Sequence, residues 1–128
     1  MNASTTRRTF PKSARLLKRG EFRRVYDEGQ RRSGPLCAVF FRPNGLTATR
    51  LGITVPVRVG KAVERNRLKR RLREVFRLNR ARLAPGWDIV LNPREGVTRV
   101  AFQKLEKELL RLFPSQPPPA KTGESEER

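Results

Sequence analysis

Gly60-Lys-Ala-Val-Glu-Arg-Asn-Arg-Leu-Lys-Arg-Arg-Leu-Arg-Glu-Val-Phe-Arg-Leu-Asn-Arg-Ala-Arg82 is the stretch on which the reading of this chain turns. Ten of its residues are Lys or Arg, and only Glu64 and Glu74 offset them. The spacing predicts one helix over about 63–81. At about 100° per residue, Leu68, Leu72, Val75, Phe76 and Leu83 fall in one arc of roughly 100°, the face to be buried. Asn66, Lys69, Arg70, Arg73, Arg77 and Arg80 fall in an adjacent arc. Arg67 and Arg71 lie on the remaining side with Glu74. Most charged helix faces are simply solvated, but their signs are usually mixed. Here the acids are too few for a ladder of i,i+4 pairs. A surface that repels itself in this way is relieved by a polyanion. Arg suits phosphate through its planar fork of donors, and Lys supplies a point charge. Asn66 can bond a phosphate, a sugar hydroxyl or a base edge.

Strand signals flank this helix. Leu36 to Arg42 is apolar and aromatic, and Pro43-Asn44-Gly45 is a turn signal. Arg50 to Val55 alternates, with Leu51, Ile53 and Val55 on one face. These two segments are expected to form an antiparallel pair. Beyond Pro85-Gly86, Trp87 to Leu91 reads as a strand closed by Asn92-Pro93. Lys18 to Glu28 reads as a short helix stopped by Gly29 at C′. Thr98 is the expected N-cap of a last helix running to Leu112, with Phe102, Leu105, Leu109, Leu112 and Phe113 as its apolar stripe. The order α, β, β, α, β, α predicts an α+β fold (an α/β sandwich), a sheet partly covered by helices.

The 128 residues carry a net charge of +18, with a sequence pI of about 11.7, well inside the nucleic-acid-binding range. No run of about 18 apolar residues argues for a membrane span. Residues 1–14 lack the apolar core of a signal peptide, which favours the cytoplasm. They are expected to form a flexible basic arm. Phe113 is the last strongly apolar residue, and 114–128 reads as a disordered proline-rich, acidic tail. One domain, 15–113, lies between, about 100 residues and a usual size. Cys37 is the single cysteine, which fits a reducing compartment and excludes an internal disulfide; it reads as a small buried hydrophobe. Without His, imidazole catalysis and imidazole metal sites are excluded, and one thiol does not make a zinc site. The acids are scattered, whereas a two-metal nuclease needs converging carboxylates. No catalytic residue and no metal ligand is therefore expected on this chain.

Arg65-Asn66-Arg67, then Leu68-Lys69-Arg70 and Leu72-Arg73-Glu74, resembles the RNR motif of the protein subunit of bacterial ribonuclease P. Gly60-Lys61-Ala62-Val63 matches the approach to that motif. Leu17-Lys18-Arg19, Glu21-Phe22, Val25-Tyr26 and Gly29 are similar to the family's first helix. Leu51-Gly52-Ile53-Thr54-Val55 resembles the strand before the RNR helix, and the chain's last helix ends, as family members tend to, in Leu109-Leu-Arg-Leu-Phe113. The tripeptide alone is weak; the ordered series over about 15–113 is strong.

The resemblance implies a ribosomal protein S5 domain 2-like architecture, with a mixed sheet packed by helices and a left-handed βαβ crossover. Composition would never suggest that hand, since about 98% of crossovers are right-handed. It implies the protein subunit of ribonuclease P, an endoribonuclease whose RNA performs catalysis with Mg²⁺. The Mg²⁺ would be bound mainly by the RNA subunit and substrate, with no organic cofactor. The implied partners are the catalytic RNA and precursor tRNA, with no membrane and no DNA. By the motif, Arg65, Asn66, Arg67, Lys69, Arg70 and Arg73, with Arg77 on the same ridge, face the catalytic RNA. Arg58, Lys61 and Arg80 are further RNA contacts. Phe22, Tyr26 and Phe40 match the aromatic positions of a cleft for the single-stranded 5′ leader, and Ala38 lies two residues before Phe40 on the same face. The family's metal-associated loop has no residue assigned to it here.

Taken without the resemblance, Phe22, Tyr26 and Phe40 read as core. Phe41 and Cys37 point to the opposite face of their strand and pack inside, and Trp87 reads as core. Two other classes stay open at this level. One is a structural, ribosomal-type RNA-binding protein without a processing role. The other is a DNA-binding protein using the basic helix for recognition. Strands flank that helix, and no partner helix stands at helix-turn-helix spacing.

Overall fold

The computed structural model describes residues 12–119. The remainder of the expected arm, 1–11, and of the expected tail, 120–128, lies outside the described residues. Three helices, α1 (Arg19–Glu28), α2 (Ala62–Asn79) and α3 (Phe102–Leu112), pack on a sheet of β1 (Gln30–Ser33), β2 (Cys37–Pro43), β3 (Arg50–Ile53) and β4 (Trp87–Pro93). Short 3₁₀ turns occupy Lys12–Ala14, Val57–Val59, Arg80–Arg82 and Val97–Arg99. The fold is α+β, as expected. No helix among the described residues is long and apolar enough to cross a membrane.

The strand order is β1-β2-β4-β3. This corrects the expected pairing of β2 with β3. β2 pairs antiparallel with β1 and β4, and β3 pairs parallel with β4. The reason lies in β4, where every residue but Asn92 is buried. A strand buried on both faces belongs in the centre of a sheet with a neighbour on each side. The 44–49 segment therefore crosses over the start of β4 instead of closing a hairpin. Asn44 holds it there: its backbone N–H donates to the Gly86 carbonyl, and its side-chain Nδ2 donates to the Ala48 carbonyl and to Asp88 Oδ1. β1 has no apolar pattern to announce it. Its Gln-Arg-Arg-Ser run is exposed along its length, as suits a charged edge strand.

One sheet face carries Cys37, Val39, Phe41, Leu51, Ile89 and Leu91 into the main core with α2 and α3. Leu68, Leu72, Val75 and Phe76 of α2 are buried there, as their arc predicted, and Leu83 is partly buried against them. Phe41 stacks edge-on to Trp87 at 5.2 Å, and Cys37 is fully buried. Burial pushes its thiol up to about 12. The other face holds a small second core, Leu16, Val25 and Val90, flanked by Phe22 and Phe40. That face is covered by α1 alone.

Several local boundaries differ from the sequence reading. Thr98 is not the N-cap of α3; it sits inside the 3₁₀ turn, and Ala101 caps the helix. Gly29 is needed for space and not for a left-handed turn. Its φ is −94°, and a Cβ there would come within 2.6 Å of the Phe41 and Val25 carbonyl oxygens. Ala14 is fully buried and Leu16 N–H bonds the Leu51 carbonyl, so the folded body begins before residue 15. The boundary at 114 also moves: Pro114 is buried, and Trp87 Nε1 donates to the Gln116 carbonyl at 2.8 Å.

Candidate nucleic-acid interface

The exposed strip beside α1 forms from residues far apart in sequence. α1 crosses the open sheet face from β3 to β2. Glu21 at one end meets Arg50, and Glu28 at the other meets Arg42. Between them Phe22, Val25 and Tyr26 turn toward the sheet. Phe22 lies over Gly52, whose absent side chain makes the room: a Cβ at 52 would stand 2.7 Å from Phe22 Cζ. Tyr26 meets Phe40 edge-on at 4.9 Å. Its hydroxyl donates to Asn92 Oδ1 at 2.9 Å and lies 3.3 Å from Thr54 Oγ1. The guanidinium of Arg31 stands 5.8 Å over the Phe40 ring, within cation–π range.

Phe22, Tyr26 and Phe40 thus come together in one groove. Phe22 and Phe40 are half-buried, and Tyr26 remains about a third exposed at 36%. The expectation for Ala38 needs correction. It is on the right face, opposite Asn92 in the register, but only 5% exposed. It is a floor under the groove and offers almost no surface to a ligand. Arg31, Asn92 and Thr54 belong to the groove and were not foreseen. Arg31 carried a faint signal in the Arg31-Arg32 pair; Asn92 read only as the end of a strand.

α1 is held in place by a partly buried ionic cluster. Arg50 donates to both oxygens of Asp88, at 2.8 and 2.7 Å, and to Glu21 at 3.2 Å. Asp88 is buried, so its charge is tolerable only because paired and hydrogen-bonded. Glu21 also accepts the Leu17 and Lys18 N–H groups at the start of α1. Burial pushes its carboxyl up, but these two bonds and Arg50 outweigh that, and it ends below the usual value.

The cations of α2 divide into distinct sets. Asn66 and Arg70, with Arg80 just beyond the helix, are exposed as the ridge predicted, and Arg67 is exposed on the neighbouring side. Lys69 and Arg73 are half-buried and turn toward β3, lining a small cavity with Arg15, Phe22, Gly52 and Ile53. Burial, with Arg15 nearby, lowers the Arg73 pKa. The cationic flank of α2 and the aromatic groove therefore meet at Phe22. Arg65 is off the exposed ridge. It lies half-buried in the first turn, with Nε donating to the Gly60 carbonyl at 3.1 Å. Arg77 is engaged with Glu74, Nε to Oε1 at 3.0 Å. Arg58 pairs loosely with Glu95 at 3.7 Å, and Lys61 caps α2, its backbone N–H donating to Glu64.

The remaining acids are mostly engaged too, Glu108 with Arg111 and Glu106 with Asn79. Among the described residues no three acidic or thiol side chains converge as a metal would require. This donor set does not fit a divalent-metal centre built by the chain itself.

A sequence model of the family described as Ribonuclease P matches residues 10–115. The chain belongs to the ribonuclease P protein family. It is 40% identical over 109 residues to the ribonuclease P protein component of Thermotoga sp. (strain RQ2), covering 82% of this chain and 93% of that one. To the same component of Caldanaerobacter subterraneus subsp. tengcongensis it is 36% identical over 106 residues, with 83% and 91% covered. Among solved structures, the RNase P protein from Thermotoga maritima superposes with a TM-score of 0.73 at 40% identity, covering 77% of this chain and 94% of that one. The Staphylococcus aureus RNase P protein gives 0.73 at 27% identity, with 79% and 93% covered. The chain is a protein subunit of ribonuclease P, an RNA-binding component of a tRNA-processing ribonucleoprotein, and a ribosomal-type role without processing is not favoured.

Proposed function

We propose that this subunit works by binding on two surfaces. The exposed Arg67 and Arg70 of α2, with Asn66 and with Arg80 of the turn that follows, seat on the catalytic RNA. Arg65, Arg77, Arg58 and Lys61 add their charge to the same surface, Arg65 and Arg77 from side chains that are also bonded within the protein. The groove of Phe22, Tyr26 and Phe40 takes the single-stranded 5′ leader of precursor tRNA, with Lys69 and Arg73 at its margin. The observation that carries the leader reading is the edge-on Tyr26–Phe40 pair with Arg31 above Phe40, along the edge of α1. Unpaired bases stack on such faces at about 1–3 kcal/mol each while cations hold the backbone.

The chemistry is hydrolysis of one phosphodiester bond, which frees the leader and leaves a 5′-phosphate on the mature tRNA. In this reading the RNA subunit and substrate hold the Mg²⁺ that serves it, since no three acidic or thiol side chains converge among the described residues. The protein offsets repulsion between two polyanions and lengthens contact with the substrate. Both effects raise apparent substrate and metal affinity. Neutralising several phosphates makes binding fall with salt at a log–log slope of about −0.7 to −0.9 per contact. The reading sets the subunit in the cytoplasm, where a lone buried thiol stays reduced.

The test is cleavage of a 5′-extended precursor tRNA at low Mg²⁺ by bacterial ribonuclease P RNA, with and without this protein. Cleavage at the mature 5′ end that needs both supports the reading. Absence of stimulation with a matched RNA subunit overturns it.

A further inference from the structure

The flank of α2 turned away from the aromatic groove borders a second depression. It lies between α2 and the segment joining β4 to α3, with a volume of about 590 Å³. Arg58, Arg67, Arg71 and Arg99 line it, with Glu64 and Glu95 as its acids. Neither acid answers the central cations. Glu64 accepts the Lys61 N–H at 3.0 Å, and Glu95 faces Arg58 at 3.7 Å. Arg67 and Arg99 are exposed, and neither guanidinium has a partner among the described residues. Arg71 is fixed from behind, its Nη2 donating to the Val100 carbonyl at 2.6 Å. A guanidinium has five N–H donors, so Arg71 is oriented and still has donors to offer. Gly96, at φ +88°, turns the β4–α3 segment so that Thr98 and Arg99 border the same depression.

We propose that this depression is a second phosphate-binding track, in which Arg67, Arg71 and Arg99 hold the sugar–phosphate backbone of the catalytic RNA. The inference rests on the reading above and adds to it a catalytic-RNA contact on the flank of α2 away from Lys69 and Arg73. Lys69 and Arg73 abut Phe22 and the leader groove. Arg67 and Arg71 lie roughly 160° round the helix from them, on the flank away from the groove. Guanidiniums lining one concave site, with Arg67 and Arg99 unpartnered among the described residues, focus positive potential, and their forks match two phosphate oxygens at once. Arg99 thereby joins the RNA surface from outside the RNR helix.

The experiment compares the full chain with Arg67→Gln/Arg99→Gln, and with Lys69→Gln/Arg73→Gln as the opposite-flank control. Two quantities are read: affinity for bacterial ribonuclease P RNA across a salt series, and the affinity ratio of the assembled holoenzyme for 5′-extended over mature tRNA. For Arg67→Gln/Arg99→Gln the assembly affinity is expected to fall at least ~10-fold at about 150 mM salt, and the log–log slope to shrink by about 1.4–1.8. The leader ratio stays unchanged. The control pair lowers the leader ratio. Unchanged assembly and slope overturn the proposal, and so does an equal loss of the leader ratio, which would give the track to the precursor. If the unaltered chain fails to stimulate cleavage, the functional reading itself has failed; if it stimulates and the variant assembles normally, only the second track has.

Discussion

Arg50 and Asp88 face each other across the parallel β3–β4 pair and are joined by two hydrogen bonds, 2.8 and 2.7 Å long. The pair sits beneath the N-terminal end of α1, and Arg50 reaches on to Glu21 of that helix. Arg50→Ala leaves the Asp88 carboxylate buried with Asn44 alone. Removing one partner of a buried ion pair costs about 3–5 kcal/mol. Arg50 is itself partly solvated, so a loss of about 2–3 kcal/mol is expected in urea unfolding. A loss below about 0.5 kcal/mol would mean that water replaces the guanidinium.

Glu21 sets the acid side of stability. Its folded-state pKa is lowered, burial being outweighed by the two α1 N–H bonds and Arg50. Its contribution is therefore present above the unfolded pKa and disappears as pH falls through the folded value. Glu21→Gln should cost about 1 kcal/mol at neutral pH, as loss of a helix cap does. It should also flatten the fall in stability below about pH 4.5. Unfolding curves at pH 7 and pH 3.5 check both; equal losses at the two pH values would remove Glu21 from this role.

Gly52→Ala places a methyl group 2.7 Å from Phe22 Cζ, at the far end of that side chain. The ring gives way before any backbone does. Stability should fall by about 1–3 kcal/mol, while the preference of the holoenzyme for leader-bearing tRNA falls several-fold. A full loss of leader preference together with a stability loss above about 3 kcal/mol would mean that α1 itself had been displaced.

Tyr26 offers both a ring and a hydroxyl. Tyr26→Ala removes the partner of Phe40 and should weaken precursor binding by about 1–3 kcal/mol without affecting mature tRNA. Tyr26→Phe keeps the ring and removes only the bonds to Asn92 and Thr54. A smaller loss, about 0.5–1.5 kcal/mol, is expected from it. If the two variants bind alike, the ring contributes nothing to leader recognition. Binding titrations of the holoenzyme with both tRNAs separate these cases.

Where the chain is cut decides the effect of losing the tail. A chain ending at Pro119 keeps the Gln116 carbonyl that accepts the Trp87 indole N–H, and should unfold like the full chain. One ending at Phe113 loses that acceptor and the buried Pro114. It should be less stable by about 1–2 kcal/mol. Thermal unfolding of the two truncations, followed by Trp87 fluorescence, tests this. Equal midpoints would show that water serves the indole as well.

The sequence by itself determined the elements whose periodicity is strong and the charge they carry. The buried arc of Leu68, Leu72, Val75 and Phe76 and the exposed cations beside it follow from 3.6-residue spacing, which is a local property of one helix. The ordered run from Leu17 to Phe113 was also enough to mark the family. Only the tertiary structure decided what depends on long-range pairing. It put β4 between β2 and β3, since a strand buried on both faces needs two neighbours, and no local signal encodes which ones. It ordered the charged β1 through its partner alone. It withdrew Arg65 to Gly60 and Arg77 to Glu74, because a guanidinium bonds whatever acceptor folding brings within reach. It also brought Arg31, Asn92 and Thr54 to the aromatic groove, and Arg99 to the far flank of α2. Each of these residues became part of a surface through strand register or loop path, which pairwise contacts across the whole chain set.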